Sequence, residues 1–421
     1  MVTEAGRIEC LYHGWQFDGN DGACTHIPQL PEGGSPPRAA RLRVYPLAVS
    51  EGIVFVWMGD DPWGEGAKDI LPVPSTVDKL DDKKPTFTYE FVYDLPYDWG
   101  YLAENLLDPA HIPVSHDKTE GGGKKENAAA IDFDVFREEP DKPNPRGFTS
   151  VVQSNVFDKG QKLPTSRYVF EAPGVIRVRS EGKKEGEPVF GAALHCIPLG
   201  KGRSRILFKA SCTYAIGFPA MVRIIFALKP GFLRHLNSSK VLEQDMKLIC
   251  AQEDHVARTG QSLSEAYLPI KTSDTLVVEL RKWLDHVGHG MPFYEGWKTR
   301  KEPHNLTDHE DSRRYDHRSN ESRYHRHVLI SAETRRALAK VKAVKRWGLA
   351  WAAVLAMSSV GLSCASITRL AAVGADAVVS RVRAAGIAAA CGAAVSLGLG
   401  VAATVLEGHF FTNFERHPVL G

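Results

Sequence analysis

Hydrophobic and polar residues alternate with a period of two through much of the first half of the chain. Arg41–Val49 and Gly52–Met58 are β-rich alternating runs, and Ser50-Glu51-Gly52 between them reads as a turn. Between Thr86 and Tyr214 the same pattern predicts strands at Phe87–Tyr93, Ile131–Phe136, Tyr168–Glu171, Val175–Val178, Phe190–Ile197 and Arg205–Tyr214. Helical spacing marks Trp99–Leu107 and roughly Leu236–Val256, where Leu242, Met246 and Ile249 recur at three- and four-residue steps. Prolines at Pro62, Pro72 and Pro74 suggest an interdomain linker. The segment 298–327 is charged and His-rich without apolar period, which predicts a solvated loop. No internal repeat is present.

The pattern changes near the C-terminus. No residue from Trp347 to Thr368 or from Ala384 to Leu406 is charged, and each run exceeds the roughly 20 residues a helix needs to cross a bilayer core. Both runs are rich in Ala, Gly and Ser, which suits close helix–helix packing in lipid. A buried helical hairpin in a soluble core is the alternative, but no further polar domain remains to enclose one. Arg335, Arg336, Lys340, Lys342, Lys345 and Arg346 precede the first run, while Arg369, Arg381 and Arg383 lie between the two. The larger basic cluster predicts that the soluble body and the C-terminus share one side of the membrane. The expected organisation is a β domain over 1–72, a larger domain over 73–297, a charged pre-membrane segment over 298–345, a membrane hairpin over 346–407 and a tail over 408–421.

Two stretches carry chemistry. Cys10-Leu-Tyr-His13-Gly14-Trp15 places a thiolate and an imidazole on one short turn, followed by Phe17 and the hairpin signal Asp18-Gly19-Asn20-Asp21-Gly22. A Rieske [2Fe–2S] centre needs two thiolates on one iron and two imidazoles on the other, so Cys10 and His13 supply half of one. The nine residues before Cys10 include neither Cys nor His. Either a second Cys-x-His pair lies upstream of Met1, or the cluster cannot form; the residues around Cys10 favour the first. Cys24 reads as a packed thiol.

The second stretch is Asn105-Leu-Leu-Asp108-Pro-Ala-His111-Ile-Pro-Val-Ser-His116. Two histidines five apart, with a proline break between them, can aim both rings at one point from a helix end. With a carboxylate from elsewhere they form the 2-His-1-carboxylate triad that holds Fe(II) on one face and leaves positions open for O₂. Asp108 is placed to accept a hydrogen bond from a ligand imidazole. Asp245, beside the apolar stripe of its helix, is the expected carboxylate, with Glu243 in reserve; Glu243 and Asp254 are otherwise expected to be solvated.

Composition adds bounds rather than a function. The 421 residues are enough for two or three domains, and 52 Lys+Arg against 50 Asp+Glu give no basic excess for binding nucleic acid. Seven scattered cysteines lack the spacing of a secreted disulfide framework and fit a reducing compartment or a plastid stroma. The first residues carry no signal or transit peptide, but a start read as truncated says nothing about targeting.

Cys10-Leu-Tyr-His13-Gly-Trp, Glu104-Asn105-Leu-Leu-Asp108-Pro-Ala-His111-Ile-Pro-Val-Ser-His116, Gln244-Asp245 and the closing pair of apolar runs together resemble a family. It is the Rieske non-haem iron oxygenases of the pheophorbide a oxygenase group, which includes chlorophyllide a oxygenase and plastid-envelope translocon-associated proteins. The resemblance implies an α+β chain: an all-β Rieske domain, present here in part, a helix-grip-like catalytic domain of antiparallel sheet and helices, and a two-helix membrane hairpin. It also implies a [2Fe–2S] cluster on Cys10 and His13, mononuclear Fe(II) on His111, His116 and Asp245, and catalytic roles for Asn105 and Asp108. Asp108 would bridge the Rieske centre of one subunit to the iron of its neighbour in a homotrimer. Electrons would come from a ferredoxin-type donor, and a tetrapyrrole would react with O₂ at a chloroplast membrane, inner envelope or thylakoid, with the bulk of the protein in the stroma. A non-catalytic or degenerate envelope component, or an oxygenase acting on another ring such as a sterol, are the competing readings. Several members of the group carry Cys-x-x-Cys before the hairpin; Ser331 and Thr334 stand at that spacing here, so no thiol switch is expected.

Overall fold

The computed structural model describes residues 1–50, 52–57, 87–119, 124–136, 144–154, 157–158, 161–162, 166–180, 189–213, 228–271, 273–300, 322–372 and 376–414. The expected linker around Pro62, Pro72 and Pro74, the stretch 301–321 and the end of the tail lie outside these residues. The chain divides into two compact units, Met1–Thr76 and Val77–Gly421. The architecture is α+β, as expected.

In the first unit β1 (Ile8–Glu9), β2 (Gln16–Phe17) and β3 (Cys24–His26) form a three-stranded sheet. β4 (Leu47–Ser50) and β5 (Ile53–Val56) pair as an antiparallel hairpin. Asp18-Gly-Asn-Asp-Gly makes the predicted turn between β2 and β3: Asp18 N–H donates to Ala23 O at 2.9 Å and Gly22 N–H to Asp18 O at 3.0 Å.

The second unit is built on a seven-stranded antiparallel sheet in the order β6-β14-β13-β12-β11-β8-β7. The strands are β6 (Phe87–Leu95), β7 (Ile131–Phe136), β8 (Gly147–Ser154), β11 (Ser166–Glu171), β12 (Val175–Ser180), β13 (Val189–Gly200) and β14 (Arg203–Thr213), with β9 (Phe157–Asp158) and β10 (Gln161–Lys162) forming a separate ribbon. Alternation sets the faces. On β6, Phe91, Tyr93 and Leu95 are buried and Glu90 is exposed. That buried face receives α1 (Trp99–Leu107), α3 (Gly231–Thr259) and α5 (Thr275–His286); between them lie the short helices α2 (Ile112–Ser115) and α4 (Leu263–Ala266).

Tyr93, Trp99, Leu102, Phe170, Ile176 and Leu280 are among the residues of the core so formed. A buried ion pair crosses it. Arg281 of α5 is fully buried, donates from Nε to Glu104 Oε2 of α1 at 2.8 Å and also donates from Nη2 to the same oxygen. Its guanidinium lies 4.7 Å over the Tyr101 ring. Because a broken buried pair leaves an uncompensated charge, this contact fixes the end of α1, and the site begins there.

Two long helices, α6 (Ala332–Ala372) and α7 (Asp376–Gly408), close the chain. Both are long and apolar enough to cross a membrane, and their apolar stretches are largely uncovered by protein. They pack on small residues: a Cβ on Gly348 would lie 3.0 Å from Gly400 N. Ser359 Oγ donates across the pair to Gly386 O at 2.9 Å, and Lys345 Nζ reaches Glu407 Oε2 at 2.9 Å at the polar end. Leu338 and Val341 of α6, Phe410 beyond α7, Val328 and Leu236 of α3 form a second core at that end.

One expectation fails here. The end of the segment read as a solvated loop is a buried turn: Tyr324–Val328 forms a single π-helical turn, and His327 is fully buried. His327 Nδ1 donates to Val92 O at 2.6 Å, and Nε2 faces His235 Nδ1 at 3.1 Å and Thr334 Oγ1 at 3.0 Å. Burial, reinforced by His235 and Arg323 against the bond to Val92, pushes the His327 pKa down to about 4. Charged residues without apolar period look like solvent-facing loop when their partners lie elsewhere in the sequence.

Candidate metal centre

Asp108 ends α1 and its Oδ1 accepts from Ala110 N–H at 2.9 Å, which turns the chain sharply at Pro109. His111 then begins the single turn α2, with Pro113 in its first positions, and His116 ends it. The two imidazoles therefore flank one helical turn, with ring centroids 5.3 Å apart and planes at 77°. The buried face of α3 brings Asp245 against them. Asp245 Oδ2 lies 3.2 Å from His116 Nε2 and 3.5 Å from His111 Nε2.

Donor atoms of His111, His116 and Asp245 all lie within 4.8 Å of one another, and among the described residues this is the one such group. An octahedron with bonds of about 2.1 Å has edges of about 3 Å, so the donor separations fit one ion with little movement. Two imidazoles and a carboxylate suit ferrous iron. Asn105 Nδ2 lies 3.4 Å from Asp245 Oδ2 and 3.5 Å from His111 Nε2. A cavity of about 360 Å³ reaches Asn105, Asp108, His111 and Asp245 between α1, α3 and α5.

The electrostatics match a cation site. Burial alone would lower the His111 pKa, but Asp108 and Asp245 raise it to about 10. Burial would raise the Asp245 carboxyl; the two imidazoles hold it well below the carboxylate range. His111 Nδ1 stands 3.3 Å from Asp108 Oδ2, within charge-pairing range but off the line of a hydrogen bond. His116 Nδ1, by contrast, meets Gln244 Oε1 at 2.9 Å, and Gln244 Nε2 donates to Thr119 Oγ1 at 3.0 Å. Neither Gln244 nor Thr119 was given a role by sequence reasoning; the one available signal was the position of Gln244 beside Asp245.

Glu243, the reserve ligand, is placed elsewhere. It is 4% exposed, accepts from Tyr93 Oη at 2.8 Å and is ion-paired with Arg323 through two bonds. Asp254 is likewise buried, at 1% exposure. Both were expected to be solvated. They point into the body because α3 is covered on more than its apolar stripe.

In the first unit Cys10 and His13 lie on the loop between β1 and β2. Cys10 N–H donates to Trp15 O at 2.8 Å, and Gly14 N–H to Cys10 O at 2.9 Å. Tyr12 and His13 N–H groups point at the exposed Cys10 sulfur and lower its pKa. Gly14 has φ +73°, and a Cβ there would also press on Pro28 at 3.1 Å. A thiolate stabilised by backbone donors beside an exposed imidazole fits one thiolate and one imidazole ligand of an iron–sulfur cluster. Cys24, on β3, turns its thiol to His26 O at 3.6 Å.

The Rieske [2Fe-2S] domain family matches residues 1–46, and the pheophorbide a oxygenase family matches residues 170–262. The chain is thus similar to Rieske-type oxygenases in two separate stretches. Within that class its similarity is to the pheophorbide a oxygenase group. Protein TIC 55 of Arabidopsis thaliana is 36% identical over 299 residues, covering 70% of this chain and 51% of that protein. Flavonoid 8-hydroxylase 2 of Ocimum basilicum is 28% identical over 312 residues, 68% of this chain and 54% of the other. Protochlorophyllide-dependent translocon component 52 of Arabidopsis thaliana is 26% identical over 340 residues, 70% and 57% respectively. The chain thus spans about half the length of the curated relatives it matches.

Proposed function

We propose that this protein is a membrane-anchored Rieske-type oxygenase of the chloroplast that oxygenates a chlorophyll-type tetrapyrrole, pheophorbide a or chlorophyllide a, with O₂ and electrons from a ferredoxin-type donor. The single observation that carries the reading is the convergence of His111, His116 and Asp245 in a buried site that a cavity connects to solvent. The two family matches and the chloroplast designation of the relatives support it.

In this reading His111, His116 and Asp245 hold one ferrous ion, whose open coordination positions would supply O₂ activation. Asp245 contributes the one negative charge of the donor set, and Asn105 limits where its carboxylate can turn. Asp108 stands behind His111 at charge-pairing distance and borders the cavity, where it would meet an approaching reductant. In a homotrimer that approach would come from the cluster of a neighbouring copy, held in part by Cys10 and His13. The hairpin of α6 and α7 keeps the body at a bilayer in which a large apolar ring dissolves, at the inner envelope or thylakoid with the body on the stromal side.

The test is oxygen consumption by the purified, iron-loaded protein supplied with reduced ferredoxin and each of pheophorbide a, chlorophyllide a and a flavone. Pigment-dependent O₂ uptake is expected; uptake with none of the three overturns the oxygenase reading. The relative named as a translocon component favours a second reading, a non-catalytic envelope redox component. It predicts metal-loaded protein that consumes no oxygen with any ring.

A further inference from the structure

The first turns of α6 have two unlike faces. Thr334, Ala337, Leu338 and Val341 are buried, and Leu338 and Val341 join Leu236 of α3 and Phe410 in the second core. Arg335, Arg336, Lys340, Lys342 and Arg346 are exposed on the rest of the circumference. Arg335 donates to Leu329 O, Lys342 Nζ lies 5.4 Å over the Phe411 ring, and Arg346 Cζ lies 5.7 Å over the Trp347 ring. None of these contacts removes a positive charge. Among the described residues Arg336 and Lys340 have no ion-pair partner.

Acids are missing from this face. From Thr334 to Ala375 the chain has no Asp or Glu. Glu333 Oε2 lies 3.4 Å from His235 Nε2, and Glu407 Oε2, at the end of α7, takes Lys345 Nζ. Arg336 and Lys340, and again Lys342 and Arg346, are like charges four residues apart, which weakens a helix unless an anion stands against them.

Their position indicates which anion. The uncharged run begins at Trp347, and the rings of Trp347 and Trp351 are exposed, as aromatic residues at a membrane–water boundary are. At a rise of about 1.5 Å per residue, Arg346 and Lys342 stand within about 8 Å of Trp347, and Arg336 about 17 Å from it. The polar layer of a leaflet is roughly 5–8 Å deep. Two of the cations therefore fall at the depth of the lipid headgroups, and the others lie within about one Debye length of that layer.

We propose that this face of α6 is a docking surface for anionic lipid headgroups, with Arg336, Lys340, Lys342 and Arg346 as its cations. The proposal rests on the membrane-anchored reading and deepens it. Lipid held on one face of these turns and α3 packed on the other would fix the body against the bilayer.

The experiment uses the full chain reconstituted in phosphatidylcholine bilayers at low salt. Part of the lipid is replaced by phosphatidylglycerol or phosphatidylcholine brominated on the same acyl chain, and quenching of tryptophan fluorescence reports which lipid touches the hairpin at Trp347 and Trp351. Phosphatidylglycerol should be preferred about fivefold, the factor that one cation contributes at an anionic surface. The preference should fall towards one in Arg336→Gln/Lys340→Gln/Lys342→Gln/Arg346→Gln, and in the wild type at about 1 M salt, where the Debye length is about 3 Å. Equal quenching by the two lipids in the wild type, or a preference that neither the substitutions nor salt reduce, overturns the proposal; the salt series decides the matter if the variant does not insert. A wild type without lipid preference that instead binds soluble poly-glutamate would assign the face to an acidic protein. No quenching by either lipid overturns the membrane reading, and the lipid surface with it.

Discussion

His111 and Asp245 hold each other charged, so a metal entering between them must first displace a proton. With the His111 pKa raised to about 10, the metal-free site is protonated at neutral pH, and Fe(II) must compete with that proton. Affinity should therefore rise about tenfold per pH unit up to about pH 10 and fall as the solution is made more acidic. Calorimetry in buffers of different ionisation enthalpy should record about one proton released per ion at pH 7.5; no release would mean that His111 is already bare. Asp108→Asn should leave iron content unchanged while slowing turnover by about tenfold or more, since it keeps the shape behind His111 and removes the charge. Undiminished turnover would show that the charge does no work. Asn105, Asp108, His111 and His116 were legible because they sit within twelve consecutive residues. Glu243 was not: its partner Arg323 lies 80 residues further along, and no local pattern announces a pair of that separation.

Helices α1 and α5 are joined by the buried pair of Glu104 and Arg281, and α1 delivers Asn105 and Asp108 to the site. Arg281→Met strands the Glu104 carboxylate and should cost about 3–5 kcal/mol, read as a lower denaturation midpoint in detergent. Glu104→Gln combined with Arg281→Met should recover much of that loss; a double variant as unstable as the single one would contradict the pairing. Strands β6, β7, β11, β12, β13 and β14 were legible from alternation because one face meets the core and the other does not. The strand β8 was missed, since Ser150 is fully buried among its apolar residues and breaks the alternation. Helix α5 was missed as well. Its Val277-Val278 favours strand by local preference, and only the packing of Leu276, Leu280 and Trp283 decides for helix. The beginning of α1 at Trp99 and its end at Leu107 followed from the sequence, because Pro109 forbids continuation.

At the scale of the molecule the membrane hairpin and the metal-site helix share an anchor. Arg323, before the hairpin, and Phe414 N–H, after it, both donate to Glu243, two residues from Asp245 on α3. Phe411 stacks on Tyr324 at 4.9 Å, and Phe410 is fully buried. Arg323→Met should free the segment 409–414 from the body, read as faster cleavage there by a protease at low ratio; unchanged cleavage would show that the pair does not hold it. The hairpin was legible as two uncharged runs, whereas its return onto α3 was not, because the partners Glu243 and Leu236 lie far from Arg323 and Phe410 in the sequence. Whether His111, His116 and Asp245 together hold one ferrous ion can be read by anaerobic Fe(II) titration of the purified protein, followed by the EPR signal of the nitric oxide adduct. About one such site per chain is expected in the wild type and none in Asp245→Ala, with any iron–sulfur signal unaffected. A wild type without the signal, or Asp245→Ala with the signal at full strength, would contradict it.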